Sequence, residues 1–171
     1  MIAGGAAYFL FWGRSIIADM LSDGFEVPWM VALGVHAVAI FGLTIGLMAL
    51  ARQPADSGAI QVLTWVGVGL AVAGLLTVQP LIFVGFGIVG LAVLDGRAPI
   101  AGAALILGSV LGLAAYATGV RSGFEDAPAL TGPQEAMVGV SVLAIALGSL
   151  LIGVAQFRSA QVRHGGEETD R

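Results

Sequence analysis

The chain alternates long apolar runs with short polar breaks. At about 20 apolar residues per bilayer crossing, the runs predict six transmembrane helices, over residues 1–21, 29–51, 59–78, 80–94, 100–120 and 136–157. The first is interrupted by Arg14 and Asp19. The third and fourth share one apolar stretch, Ala59 to Leu94, split by Gln79-Pro80. As a single helix that stretch would be about 54 Å long, far beyond a hydrocarbon core of about 30 Å, so it reads as a helical hairpin.

The arginines give an independent check, because positive side chains near helix ends accumulate on the cytoplasmic side. Six crossings with the N-terminus inside place Arg52, Arg97, Arg158, Arg163 and Arg171 in the cytoplasm and Arg121 alone outside. Reading Ala59–Leu94 as one crossing would reverse that bias. The fourth segment is short: from Pro80 to Leu94 it is about 22 Å as helix. Local thinning of the bilayer, recruitment of Gln79 and Asp95-Gly96 at its ends, or a re-entrant hairpin would each accommodate it, and all three keep both termini inside.

The breaks carry turn residues: Pro54, Asp56 and Gly58 in one, Gly96 and Pro99 in another, Pro128, Gly132 and Pro133 in the longest. Residues 1–157 therefore form a single transmembrane helical domain. Residues 158–171, polar and of mixed charge with Gly165-Gly166, read as a disordered cytoplasmic tail.

Composition agrees. With 58% hydrophobic and 11% charged residues and a mean hydropathy of +0.97, the chain stands far from the soluble norm of roughly 25% charged. The apolar segments leave no room for a soluble catalytic domain. The absence of cysteine excludes disulfides, thiolate metal sites, iron–sulfur clusters and a cysteine nucleophile. No basic stretch precedes the first apolar run, so that run is expected to remain as a helix rather than be cleaved as a signal peptide.

Two loops resemble each other. Gly24-Phe25-Glu26 reaches Pro28, and Gly123-Phe124-Glu125 reaches Pro128, each just ahead of an apolar run. The similarity extends back to Ile2-Ala3-Gly4 and Ile100-Ala101-Gly102, and forward to Met30-Val31 with Ile45-Gly46 against Met137-Val138 with Ile152-Gly153. Helices one and two thus read as a hairpin repeated, in the same orientation, by helices five and six. Parallel repeats related by an axis along the membrane normal occur in one class of transporter. Duplicated hairpins are also a simple way to enlarge a bundle.

The loops themselves have a structural account: glycine allows a positive φ at a helix exit, phenylalanine sits at the interface, and the acid and proline suit the start of the next helix. The functional account has Glu26 and Glu125 binding a cation at the outer mouth, but hard cations want more oxygen ligands than two carboxylates supply. The turn account is the simpler.

Ionisable residues inside spans are costly and suggest function. Arg14, Asp19 and His36 are the candidates. Arg14 and His36 both lie about 10 Å below the outer surface and could meet across the first hairpin, with Arg14 also able to snorkel toward Asp19. Their counterparts in the second hairpin are Gly112 or Leu113 and Leu143, so any polar site belongs to the first hairpin alone. A structural role, in which Arg14 pairs with Asp19 and neutral His36 bonds a neighbouring helix, competes with it.

His36 is also the one membrane histidine that could ligate haem. His164 lies in the tail, and Met48 is about 18 Å along the same helix. No cofactor is therefore assigned. No Ser/His/Asp arrangement, HExxH or phosphate loop is present, and no basic patch supports nucleic-acid binding. Small residues instead mark helix contacts: Gly42-xxx-Gly46, Gly108-xxx-Gly112, and Gly67, Gly69 and Ala73 with Gly85, Gly87 and Gly90.

The expected protein is an all-α integral membrane bundle, multi-pass in the cell membrane. Its leading function is non-enzymatic: an accessory, assembly or structural subunit packing against partner helices, from other subunits or from itself. A small-solute or ion transporter or channel is the second reading, and a haem-binding redox subunit the third.

Overall fold

The structure is a computed structural model and describes residues 1–8, 29–55, 57–77, 80–94, 98–118 and 132–169. Six helical stretches appear among these: α1 (residues 2–8), α2 (Trp29–Ala51), α3 (Gly58–Thr77), α4 (Leu81–Leu94), α5 (Pro99–Ala117) and α6 (Gly132–Thr169), with no strand among the described residues. Helices α2 to α5 match the apolar runs to within three residues at either end.

The boundaries have local causes. Ser57 precedes α3, and its Oγ accepts the Ile60 N–H at 3.2 Å, which satisfies one of the donors orphaned at a helix start. Pro99 opens α5, where its missing N–H costs nothing. At the other end of α5 the Thr118 N–H reaches Ala114 O at 3.0 Å, and Gln134 Nε2 on α6 donates to Thr118 O at 3.1 Å. The α3–α4 break falls at Pro80, whose carbonyl accepts the Phe83 N–H at 3.0 Å and so starts the new helix.

Two boundaries differ from the sequence expectation. Helix α6 begins at Gly132, one turn ahead of Ala136, because Pro133 is tolerated in a first turn. It also shows no break at Phe157. The backbone stays helical to Thr169, since Ser159-Ala160-Gln161-Val162-Arg163 contains no proline and the run is continuous with a long, already nucleated helix.

Each helix packs antiparallel on its sequence neighbour, and α1 closes the ring. Gly67 of α3 lies against Ile88 and Val89 of α4, and Gly85 of α4 against Ala71 of α3. Gly90 of α4 meets Gly102 of α5, and Gly108 of α5 meets Ser141 and Ile145 of α6. Helix α1 then sits between the two chain-distant helices: Gly4 against Gly42 and Leu43 of α2, and Gly5 against Ala146, Ser149 and Leu150 of α6.

The α3–α4 stretch is therefore a hairpin. Phe83 of α4 lies against Gly112 of α5, which puts Leu81 within about one helical turn of the end of α5.

At the centre stand Leu43, Leu47, Phe86, Val89, Leu105 and Ile145, all fully enclosed. The outward surface is as apolar as the core. Phe41, Ile45, Val62, Leu76 and Ile100 are each at least 64% exposed, a pattern that in water would be an aggregation surface and in hydrocarbon is ordinary. Among the described residues three helices are long and apolar enough to cross a membrane: Gly58–Thr77, Pro99–Ala117 and Gly132–Arg158. The apolar helices Ala37–Ala51 and Leu81–Leu94 are shorter.

Candidate functional site

Arg14 and Asp19 lie outside the described residues, as do both repeated loops, Gly24-Phe25-Glu26 and Gly123-Phe124-Glu125. His36 is on the backbone of α2, two turns in from Trp29, and its side chain is outside what the structure describes. The meeting of Arg14 with His36 thus remains a sequence expectation. Among the described residues no three His, Cys, Asp or Glu side chains come together as a metal site would require.

What the structure does bring together is small residues and hydroxyls along the helix seams. Gly42 and Gly46 both face α1, one against Gly4 and the other against Met1. Gly108 and Gly112 part company: Gly108 admits Ile145 of α6, while Gly112 is covered by the ring of Phe83 from α4. Gly67, Gly85 and Gly90 lie in the expected close contacts, and Gly87 touches Ser109 of α5.

Gly69 does not follow the pattern expected of it. It is exposed and has nothing within 4 Å of the position a side chain would take. Two residues on from Gly67 is about 200° around the helix, so the two glycines cannot share a seam. The sequence pattern grouped them by proximity in the chain where angular position decides.

Among the described residues four buried serine and threonine side chains punctuate the core: Thr64, Ser109, Ser141 and Ser149. Thr64 Oγ1 donates back to Ile60 O at 2.8 Å, four residues earlier on its own helix. Ser141 is different, because its Oγ crosses to the neighbouring helix and donates to Gly108 O at 2.6 Å. A glycine at 108 is what lets the hydroxyl come that near. Ser109 Oγ and Ser149 Oγ have no hydrogen-bond partner among the described residues.

Sequence reasoning did not single out these serines, since lone hydroxyls in a helix give no periodic signal. It also passed over Gln61. That side chain donates from Nε2 to Ala51 O at the end of α2 and accepts the Ala55 N–H on Oε1 at 3.0 Å, clamping the turn between α2 and α3. A glutamine one turn inside an otherwise apolar helix was the available clue.

Chemically, the described interior can pack, and it can fix the register of α5 against α6 through one interhelical hydrogen bond. It presents no nucleophile with a base beside it and no convergent set of donors. Compared with known protein families, with characterised proteins and with solved structures, the chain matches none.

Proposed function

We propose that this chain is a multi-pass cell-membrane protein with six spans, its first and last residues on the cytoplasmic side, built on a parallel repeat of helical hairpins. In this reading it works without catalysis, as an accessory, assembly or structural subunit that packs against partner helices. The observation that carries the proposal is the filling of the described core. Apolar side chains and glycine-backbone contacts occupy most of it, and its polar atoms are scattered: the hydroxyls of Thr64, Ser109, Ser141 and Ser149, the Tyr8 side chain, and the buried Thr44 Oγ1 and Gln156 Nε2.

Transport would need a polar-lined path, normally near mid-depth between repeats. At the centre of the described bundle stand Leu43, Phe86, Leu105 and Ile145 instead, which favours the packing role. The apolar outward faces of α2 and α3 are compatible with either lipid or partner helices.

Co-purification from native membranes after mild detergent extraction, read by mass spectrometry, tests the proposal. Stoichiometric recovery of other membrane subunits is the expected result. A lone, monodisperse monomer carrying a bound small molecule would sink the accessory reading in favour of transport. A Soret band in the same preparation would bring His36 and haem forward.

A further inference from the structure

We propose that the arginine-bearing end of the α2–α1–α6 face binds the phosphate headgroup of an anionic phospholipid, held jointly by Arg52 and Arg158. The inference rests on the membrane reading above and adds a specific lipid partner to it. Gly46 of α2 and Gly153 of α6 both face Met1, so the two helices share a level there. Arg52 lies six residues beyond Gly46 and Arg158 five beyond Gly153, which places both about 8–9 Å further out, within about 2 Å of one level.

Helices α2 and α6 flank α1 and also touch one another; axes of touching helices are about 8–10 Å apart. Both arginines are exposed, and neither has an ion-pair partner among the described residues. A guanidinium is a planar fork matched to phosphate oxygens, and basic clusters at cytoplasmic helix ends attract anionic headgroups.

Beneath the arginines the surface suits acyl chains. Ile2 and Ala3 of α1 are exposed between Ile45 of α2, 68% exposed, and Phe157 of α6, 61% exposed. Along the helical backbone of α6, Glu167 and Glu168 stand about 14 Å from Arg158.

The test reconstitutes the full chain in vesicles of equal phosphatidylglycerol and phosphatidylcholine, extracts it mildly, and measures the retained lipids by native mass spectrometry. Wild type is expected to retain phosphatidylglycerol in excess, on the order of fivefold per arginine engaged. R52Q/R158Q should fall to the vesicle ratio, and R52K/R158K should lie between, having the charge without the fork. R121Q, in the outer loop by sequence, should behave as wild type.

No enrichment in wild type, an R52Q/R158Q variant enriched like wild type, or an R121Q variant that loses as much would each overturn the proposal. Should the double variant not fold, R52Q and R158Q singly are expected at intermediate enrichment. Release of the chain by alkaline carbonate would sink the membrane reading itself, whereas retention without headgroup preference sinks only the lipid assignment.

Discussion

Gly90 and Gly102 offer the sharpest test of how α4 is seated on α5. A Cβ at Gly90 would stand 2.8 Å from Gly102 O, and a Cβ at Gly102 would stand 2.7 Å from Gly90 O and 2.9 Å from Leu94 Cα. The obstacles are mostly backbone, which cannot swing aside as a side-chain tip can. To reach ordinary contact at 3.4 Å, the helices must part by about 0.6 Å, a gap that forfeits roughly a quarter or more of the dispersion energy across the seam.

Overpacking of this kind costs about 1–3 kcal/mol. The better helix propensity of alanine returns about 1 kcal/mol, leaving G90A and G102A each destabilised by about 0–2 kcal/mol relative to wild type and by about 1–3 kcal/mol relative to a glycine-to-alanine change in open space. One separation relieves both clashes, so G90A/G102A should cost less than the two singles added, by about 1 kcal/mol. Gly69→Ala is the control: with open space around it, the substitution keeps only the propensity gain and should be neutral or slightly stabilising. Unfolding in mixed micelles followed by far-ultraviolet circular dichroism reads all four. A G90A protein as stable as G69A, or singles that simply add, would refute the close approach of α4 and α5.

Other expectations follow from single contacts. Ser141→Ala removes the bond to Gly108 O and should cost about 0.6–1.7 kcal/mol in the same unfolding assay, while Ser149→Ala, deleting a buried hydroxyl without a partner, should be neutral or stabilising by up to about 1 kcal/mol. Gln61→Ala frees the Ala51 carbonyl and the Ala55 amide; hydrogen exchange at Ala55 should quicken about fivefold, corresponding to about 1 kcal/mol. Because the chain has no cysteine, single introduced cysteines report topology directly. S57C should react with an impermeant maleimide only from the cytoplasmic side, and S122C only from outside; labelling of both from one side would undo the six-span proposal. Arg14→Leu should lower stability or phenotype if Arg14, Asp19 and His36 act together, and an unchanged protein would reduce that cluster to three separate residues.

Much of the architecture was legible in the chain because a helix long and apolar enough to cross a bilayer leaves a one-dimensional trace. A span must be apolar over its whole length, so Trp29 to Ala51 and the break at Gln79-Pro80 could be read from hydropathy and turn chemistry alone. The sequence alone also marked glycines as contact points without saying whose, correctly for Gly42, Gly46, Gly67, Gly85, Gly87, Gly90, Gly108 and Gly112 and wrongly for Gly69. That Gly108 admits α6 while Gly112 lies under a ring from α4, and that Gly69 faces outward, depends on angles around a helix and on which neighbour stands there.

Only the tertiary structure decided that α1 fills the slot between α2 and α6, that Ser141 ties α6 to a carbonyl of α5, and that Arg52 and Arg158 finish at one level. Each joins residues far apart in the chain. In a bundle whose exterior and interior are equally apolar, hydrophobicity tells a helix that it belongs in the bilayer but not which side to turn inward. Shape settles that, through the closeness of glycine backbones, and shape is a property of pairs of helices that no single stretch of sequence contains.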